Sequence, residues 1–181
     1  MLKMFSTQLA GLFKRIQEQN EFSFEDGARL LAQSAASSDG AIYICGFGEM
    51  AAVEAEACCG AEPLSFAKKW DGVQEVTEAD RVVMFSRFSN DCDAVALAQS
   101  LVAQGIPFVA VSTDVTAAGL TDQSDFVDLT KLADVFIDLK LSKGLLPDES
   151  GNRVGYPAAM AGLYVFHGLK FTLEEILADF D

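Results

Sequence analysis

The stretch from Ala41 to Gly48 constrains the fold most. Ala41-Ile42-Tyr43-Ile44-Cys45 is a short, continuous apolar run. A strand with one wet face alternates apolar and polar residues, whereas an unbroken run fits a strand covered on both faces, as in a parallel sheet. Gly46-Phe47-Gly48 follows, then a helical stretch from about Met50 to Cys59, closed by Gly60. The unit recurs. Leu64-Ser65-Phe66 reads as a weak second strand, and Arg81-Val82-Val83-Met84-Phe85 as a third after the turn Thr77-Glu78-Ala79-Asp80. A helix from about Asp91 to Gln104 ends at Gly105. Pro107-Phe108-Val109-Ala110-Val111 and Asp134-Val135-Phe136-Ile137-Asp138-Leu139 are the fourth and fifth strands. Alternating strands and helices mean right-handed βαβ units. The expected class is α/β, a flavodoxin-like doubly wound parallel sheet of about five strands in the order 2-1-3-4-5.

Two helices are expected before the first strand, over about 2–38. Leu2, Phe5, Leu9, Leu12, Phe13 and Ile16 mark the apolar face of the first, and Ser23 with Asp26 stands at capping-box spacing for the second. The sheet core spans about 41–140. Pro147 to Arg153 reads as a protruding loop or hairpin. C-terminal helices are expected over about 157–180, the first opened by Pro157 and the last by Thr172 and Glu175 as a capping box. No linker or repeat divides the 181 residues, so one domain over 1–181 is expected.

Composition then narrows the function. Twenty-seven acids against 13 Lys and Arg give a net charge of −14. Such a surface repels phosphate backbones and anionic membranes, so neither nucleic acid nor membrane is an expected partner. No apolar run reaches the roughly 20 residues that span a bilayer. Met1-Leu2-Lys3-Met4-Phe5 lacks the apolar core and cleavage site of a signal peptide. The expected location is the cytoplasm. Four cysteines, Cys45, Cys58, Cys59 and Cys92, form no CxxC and accompany a single histidine, so no metal site and no disulfide are expected.

In open α/β sheets ligands bind beyond the carboxyl ends of the strands, near the reversal of strand order. Three loops qualify. Gly46-Phe47-Gly48-Glu49-Met50 lets the backbone turn sharply and approach a ligand. Ser86-Arg87-Phe88-Ser89-Asn90-Asp91 offers hydroxyls, an amide and a guanidinium for an anion, although Ser89, Asn90 or Asp91 could equally serve as a helix cap. Ser112-Thr113-Asp114 is the third. The first loop also spells G-x-G-x-x-A from Gly46 to Ala51, a dinucleotide fingerprint. The acid expected about 20 residues on is missing, and Phe66 and Ala67 stand there, followed by Lys68-Lys69. A nicotinamide-dependent oxidoreductase is therefore the weakest of the functions considered.

Two helices, then strand–GxG–helix, then strand–Ser-rich loop–helix ending in Gly105, then Pro107 to Thr113 and Ala133-Asp134-Val135, resemble the SIS (sugar isomerase) domain over essentially the whole chain. Within that family the chain is similar to a bacterial branch labelled phosphoheptose isomerase. The resemblance implies phosphosugar binding, with Gly46, Gly48, Ser86, Arg87, Ser89, Asn90 and Thr113 as ligand or phosphate contacts. The family's first loop ends in a serine where this chain has Met50. Its Ser-x-Ser-Gly-x-Thr second loop reads Ser86-Arg87-Phe88-Ser89-Asn90-Asp91 here. The resemblance also implies an aldose–ketose isomerase, with His167 in the place of the family's histidine on the C-terminal helix. Its partner glutamate falls at Cys59 or Gly60, which leaves Glu56 and Glu62 as the nearby candidates. Isomerisation moves a proton between adjacent carbons, and imidazole is matched to that task at neutral pH. His167 has an alternative role as a packed residue of an apolar helix. A non-catalytic sensor or scaffold is the alternative function. The expected ligand is a small phosphorylated sugar or related anion, with no cofactor. The apolar faces left on the terminal helices imply a homodimer or higher homo-oligomer.

Overall fold

The computed structural model describes residues 1–72, 75–122 and 126–179. Position 180, the expected end of the last helix, lies outside them, as do 73–74 and 123–125 within the sheet core. Five strands form one parallel sheet in the order β2-β1-β3-β4-β5. They are β1 (Ile42–Gly46), β2 (Ala67–Lys69), β3 (Arg81–Phe88), β4 (Phe108–Thr113) and β5 (Val135–Asp138). The expected fold class and strand order are those observed.

The apolar strand run is explained by its two-sided burial. Ile42 and Ile44 join one core, and Ala41, Tyr43 and Cys45 join the other. The first core is closed by α1 (Leu2–Gln19), α2 (Glu21–Ala35), α3 (Ala51–Cys59) and α6 (Ala158–Ala178), and the second by α4 (Cys92–Gln104) and the short α5 (Leu129–Leu132). α4 stops because Gly105 takes φ 69°, a left-handed conformation that costs glycine nothing. β6 (Leu146–Pro147) and β7 (Arg153–Val154) pair antiparallel, so the polar segment before α6 is a hairpin.

Several boundaries differ from the sequence reading. α2 begins at Glu21 rather than after Ser23, because Asn20 alone breaks the helical path. Its amide donates to the carbonyls of Ile16 (2.8 Å) and Asp138 (3.0 Å) and accepts from the Asp138 N–H (2.9 Å), clipping the α1–α2 corner onto β5. The expected capping box at Thr172 and Glu175 lies inside a continuous α6, where the Thr172 hydroxyl donates to the Gly168 carbonyl at 2.9 Å. The second strand is Ala67–Lys69 and contains none of the expected Leu64-Ser65-Phe66, since Phe66 has φ 68° and turns the chain just before it. No helix among the described residues is long and apolar enough to cross a membrane.

Candidate functional site

Strand order reverses at β1, whose neighbours are β2 and β3. The loops after β1 and β3 therefore flank the crevice where such sheets hold ligands. Each loop is shaped by a local device. Gly46 ends β1, and a Cβ there would lie 2.3 Å from the Met50 carbonyl oxygen, so only glycine lets the loop fold back so tightly. The Gly46 N–H donates to the Glu54 carboxylate at 3.0 Å, and Glu54, buried in the first turn of α3, also pairs with Lys69 at 2.7 Å. Gly48 then opens a single 3₁₀ turn that carries Glu49 outward.

β3 runs three residues beyond expectation because its register with β4 slips between Phe85 and Phe88. Such an irregularity re-aims side chains, and here Arg87 is exposed while Ser86 and Ser89 are buried. Arg87 crosses to the first loop and grips Glu49 bidentately through one guanidinium edge, Nε to Oε1 at 2.6 Å and Nη2 to Oε2 at 2.8 Å. Its guanidinium carbon lies 5.8 Å from the Phe88 ring centre and 5.9 Å from that of Tyr156. Arg87 holds the Glu49 carboxyl below the usual carboxylate range, and Glu49 in turn raises Arg87. Burial pushes the Tyr156 phenol up. Its hydroxyl donates to the Leu141 carbonyl at 2.5 Å, and the Thr113 hydroxyl accepts from the Leu141 N–H at 3.3 Å.

The serines expected to meet phosphate point inward. Ser86 donates to the Phe88 carbonyl at 3.0 Å. Ser89 donates to Asp128 at 2.5 Å and accepts from the Val115 N–H at 3.3 Å. Asp91 caps α4, accepting from the N–H groups of Asp93 (3.1 Å) and Ala94 (3.0 Å). Asn90 is exposed beside it. The structure thus brings Gly46, Gly48, Ser86, Arg87, Ser89, Asn90 and Thr113 to one end of the sheet, with Arg87 and Asn90 presented to solvent. Glu54 belongs to the same end, as do Tyr156 and Asp128, which were not singled out from sequence. Asp128 had a local signal, since an Asp two residues before Thr130 is a helix-cap pattern.

His167, Glu56 and Glu62 lie elsewhere in the single chain. α3 leaves the first loop and runs back along β1, so Glu62 stands beyond its far end, toward the end of the strands opposite the crevice. The buried Lys170 of α6 donates to the Glu62 carbonyl there at 2.9 Å. Glu56 packs beside Gly60, near the same end of α3. His167 sits midway along α6 and lines a groove of ≈ 780 Å³ with Phe24, Tyr164, Phe171, Glu21 and Arg29. Its Nδ1 is buried with no hydrogen-bond partner among the described residues. Of the two lysines that follow Phe66 and Ala67, Lys69 is paired with Glu54. No group of three or more potential metal ligands occurs among the described residues.

Cys45 is a buried residue of β1, and burial, reinforced by the Glu54 carboxylate, pushes its thiol up to about 12. Cys59 and Cys92 are exposed.

Solved structures share this architecture over nearly the whole chain. A candidate sugar-phosphate isomerase from Listeria monocytogenes superposes with a TM-score of 0.68 at 17% identity, covering 98% of this chain and 88% of that one. A candidate phosphosugar isomerase involved in capsule formation from Bacteroides fragilis gives 0.66 at 12% identity, covering 98% and 92%. The Vibrio vulnificus NanR protein complexed with ManNAc-6P gives 0.66 at 14% identity, covering 98% and 63%. These likenesses establish the SIS fold. In sequence, the chain is 42% identical over 181 residues to the uncharacterized protein YwjG of Bacillus subtilis (strain 168), with 99% of each covered. The model of the domain of unknown function DUF2529 matches residues 1–177, and the chain belongs to that family.

Proposed function

We propose that this chain is a single SIS-type domain of the cytoplasm that binds a small phosphorylated sugar in the crevice between the 46–50 and 86–91 loops. The observation that carries the reading is Arg87. A guanidinium fork stands at the strand-order reversal, aimed across the crevice and already engaged bidentately with a carboxylate. That geometry suits a phosphate as well as a carboxylate. The NanR neighbour is complexed with ManNAc-6P, which fits the same ligand class. A thermal-shift panel of sugar phosphates, parent sugars, nucleotides and NAD(P) tests it. A ligand at 100 times its dissociation constant adds about 2.7 kcal/mol of stability. Stabilisation by sugar phosphates and not by their parent sugars is expected. Stabilisation by NAD(P) alone would favour the oxidoreductase instead.

Binding without turnover, as in a sensor, is the form of this reading that the single chain supports, because His167, Glu56 and Glu62 all lie outside the crevice. Aldose–ketose isomerisation is the second reading, favoured by the orphaned Nδ1 of His167. It requires a homo-oligomer in which α6 of one copy meets the crevice of another. Phe22, Met160 and Phe171, exposed on α2 and α6, give such an assembly apolar surface to bury. Light scattering at twice the 19.4 kDa of one chain or more would support the assembly. Deuterium entering a sugar phosphate from D2O, lost in His167→Asn, would establish the chemistry.

A further inference from the structure

Four groups in the crevice that could receive an anion already hold carboxylates of the chain itself. The Gly46 N–H holds Glu54, the first turn of α4 holds Asp91, Ser89 holds Asp128, and Arg87 holds Glu49. Three of these carboxylates are fixed. Glu54 and Asp128 are 6% and 3% exposed, and Asp91 is the cap of its own helix. Glu49 differs. Its side chain is 37% exposed, that of Arg87 is 48% exposed, and Glu49 stands on a single 3₁₀ turn after Gly48. A ligand headgroup that takes the Nε–Nη2 edge of Arg87 has to displace this one carboxylate.

The exchange discriminates by charge. A tethered carboxylate competes as though present at roughly millimolar concentration or above. A singly charged headgroup offers Arg87 no more charge than Glu49 already does, so it gains nothing by the exchange and works against that local concentration. A phosphate monoester carries close to two negative charges above its second pKa of about 6 and keeps an advantage after Glu49 swings into solvent.

We propose that Glu49 is the specificity-determining residue of this crevice, admitting phosphate monoesters and turning away singly charged carboxylates, sulfate esters and phosphodiesters. The proposal rests on the sugar-phosphate reading above and adds a rule for which anions enter. Methyl phosphate and methyl sulfate test it in the full chain at pH 8, because they share a tetrahedral shape and differ in charge. The readout is the dissociation constant of each by NMR titration of wild type, Glu49→Gln, Glu49→Ala and Arg87→Ala, with melting temperatures to verify folding. Wild type is expected to prefer methyl phosphate by about tenfold or more, the ratio that 1.4 kcal/mol of differential binding sets. Both Glu49 variants should gain about tenfold for methyl sulfate, and Arg87→Ala should bind neither probe.

Wild type that binds the two probes equally overturns the filter, whatever the variants do. Glu49 variants that gain nothing for methyl sulfate, while Arg87→Ala loses methyl phosphate, overturn it and leave sugar-phosphate binding intact. Failure of wild type and both Glu49 variants to bind either probe or any sugar phosphate overturns both proposals.

Discussion

Replacing Asp128 by alanine should unlock the second loop although Asp128 lies behind the crevice. Its carboxylate accepts from the Ser89 hydroxyl (2.5 Å), the Thr130 N–H (3.1 Å) and the Thr130 hydroxyl (2.6 Å). Ser89 is 0% exposed, so water cannot take over its bond. A hydrogen bond to a charged partner contributes about 1.5–3 kcal/mol. Loss of a helix cap costs about 1 kcal/mol more. Thr130 is half-buried and recovers part of its loss from solvent. The expected cost is about 3 kcal/mol, and at roughly 2–4 °C per kcal/mol for a domain of this size the melting temperature falls by about 6–12 °C. Asp128→Asn keeps the shape and one acceptor oxygen and should lose about half as much. Calorimetry or urea unfolding reads the stability, and a sugar-phosphate titration reads the loop. Asp128→Ala should weaken binding as well, because Ser89 and its neighbours lose their anchor. A melting temperature within about 2 °C of wild type would refute the reasoning, since it would mean that the Ser89–Asp128 bond contributes little to the fold.

Arg87→Ala should show the opposite pattern, a loss of sugar-phosphate affinity with little change in stability, because exposed ion pairs contribute about 0–1 kcal/mol; Arg87→Lys should recover only part of the affinity, lacking the bidentate fork. Glu49 has its carboxyl lowered by Arg87, so its stabilisation is full above the ordinary glutamate range and is lost as pH falls through the depressed value. The stability of wild type minus Glu49→Gln, read by urea unfolding, should therefore be positive at neutral pH, under about 1 kcal/mol after solvent screening, and absent in strong acid. Gly46→Ala puts a Cβ 2.3 Å from the Met50 carbonyl oxygen and should cost about 1–3 kcal/mol and abolish binding, as melting and titration together would report. In thiol labelling of the native protein, Cys59 and Cys92 should react and Cys45 should not, being both buried and held protonated.

Four of the five sheet strands were legible because two-sided burial writes itself into the sequence as unbroken apolar runs such as Ala41 to Cys45, whereas β2, the short Ala67-Lys68-Lys69 edge strand, carries no such run. The hairpin was legible from its turn residues, and the end of α4 from Gly105. Helix starts were less legible, because Asn20 breaks the chain through a contact with Asp138, which lies 118 residues away in sequence. Ser23 and Thr172 have the local form of caps, yet both lie within helices. The candidate site followed from topology, since its loops must stand at the strand-order reversal. The use of each side chain could not be read the same way. Whether Ser89 faces a ligand or Asp128, and whether Glu49 stands apart from Arg87 or clasps it, depends on how β3 slips against β4. No local pattern announces that slip.

The account turns on where a phosphorylated sugar sits, and an amide ¹H–¹⁵N NMR titration of the full chain with sugar phosphates locates it most directly. The predicted result is a set of saturating shifts at Gly46, Gly48, Arg87, Phe88 and Asn90, absent when the parent sugars are added and absent in Arg87→Ala. Shifts confined to the α2–α6 groove around Phe24, His167 and Phe171, or identical shifts from the parent sugars, would contradict it.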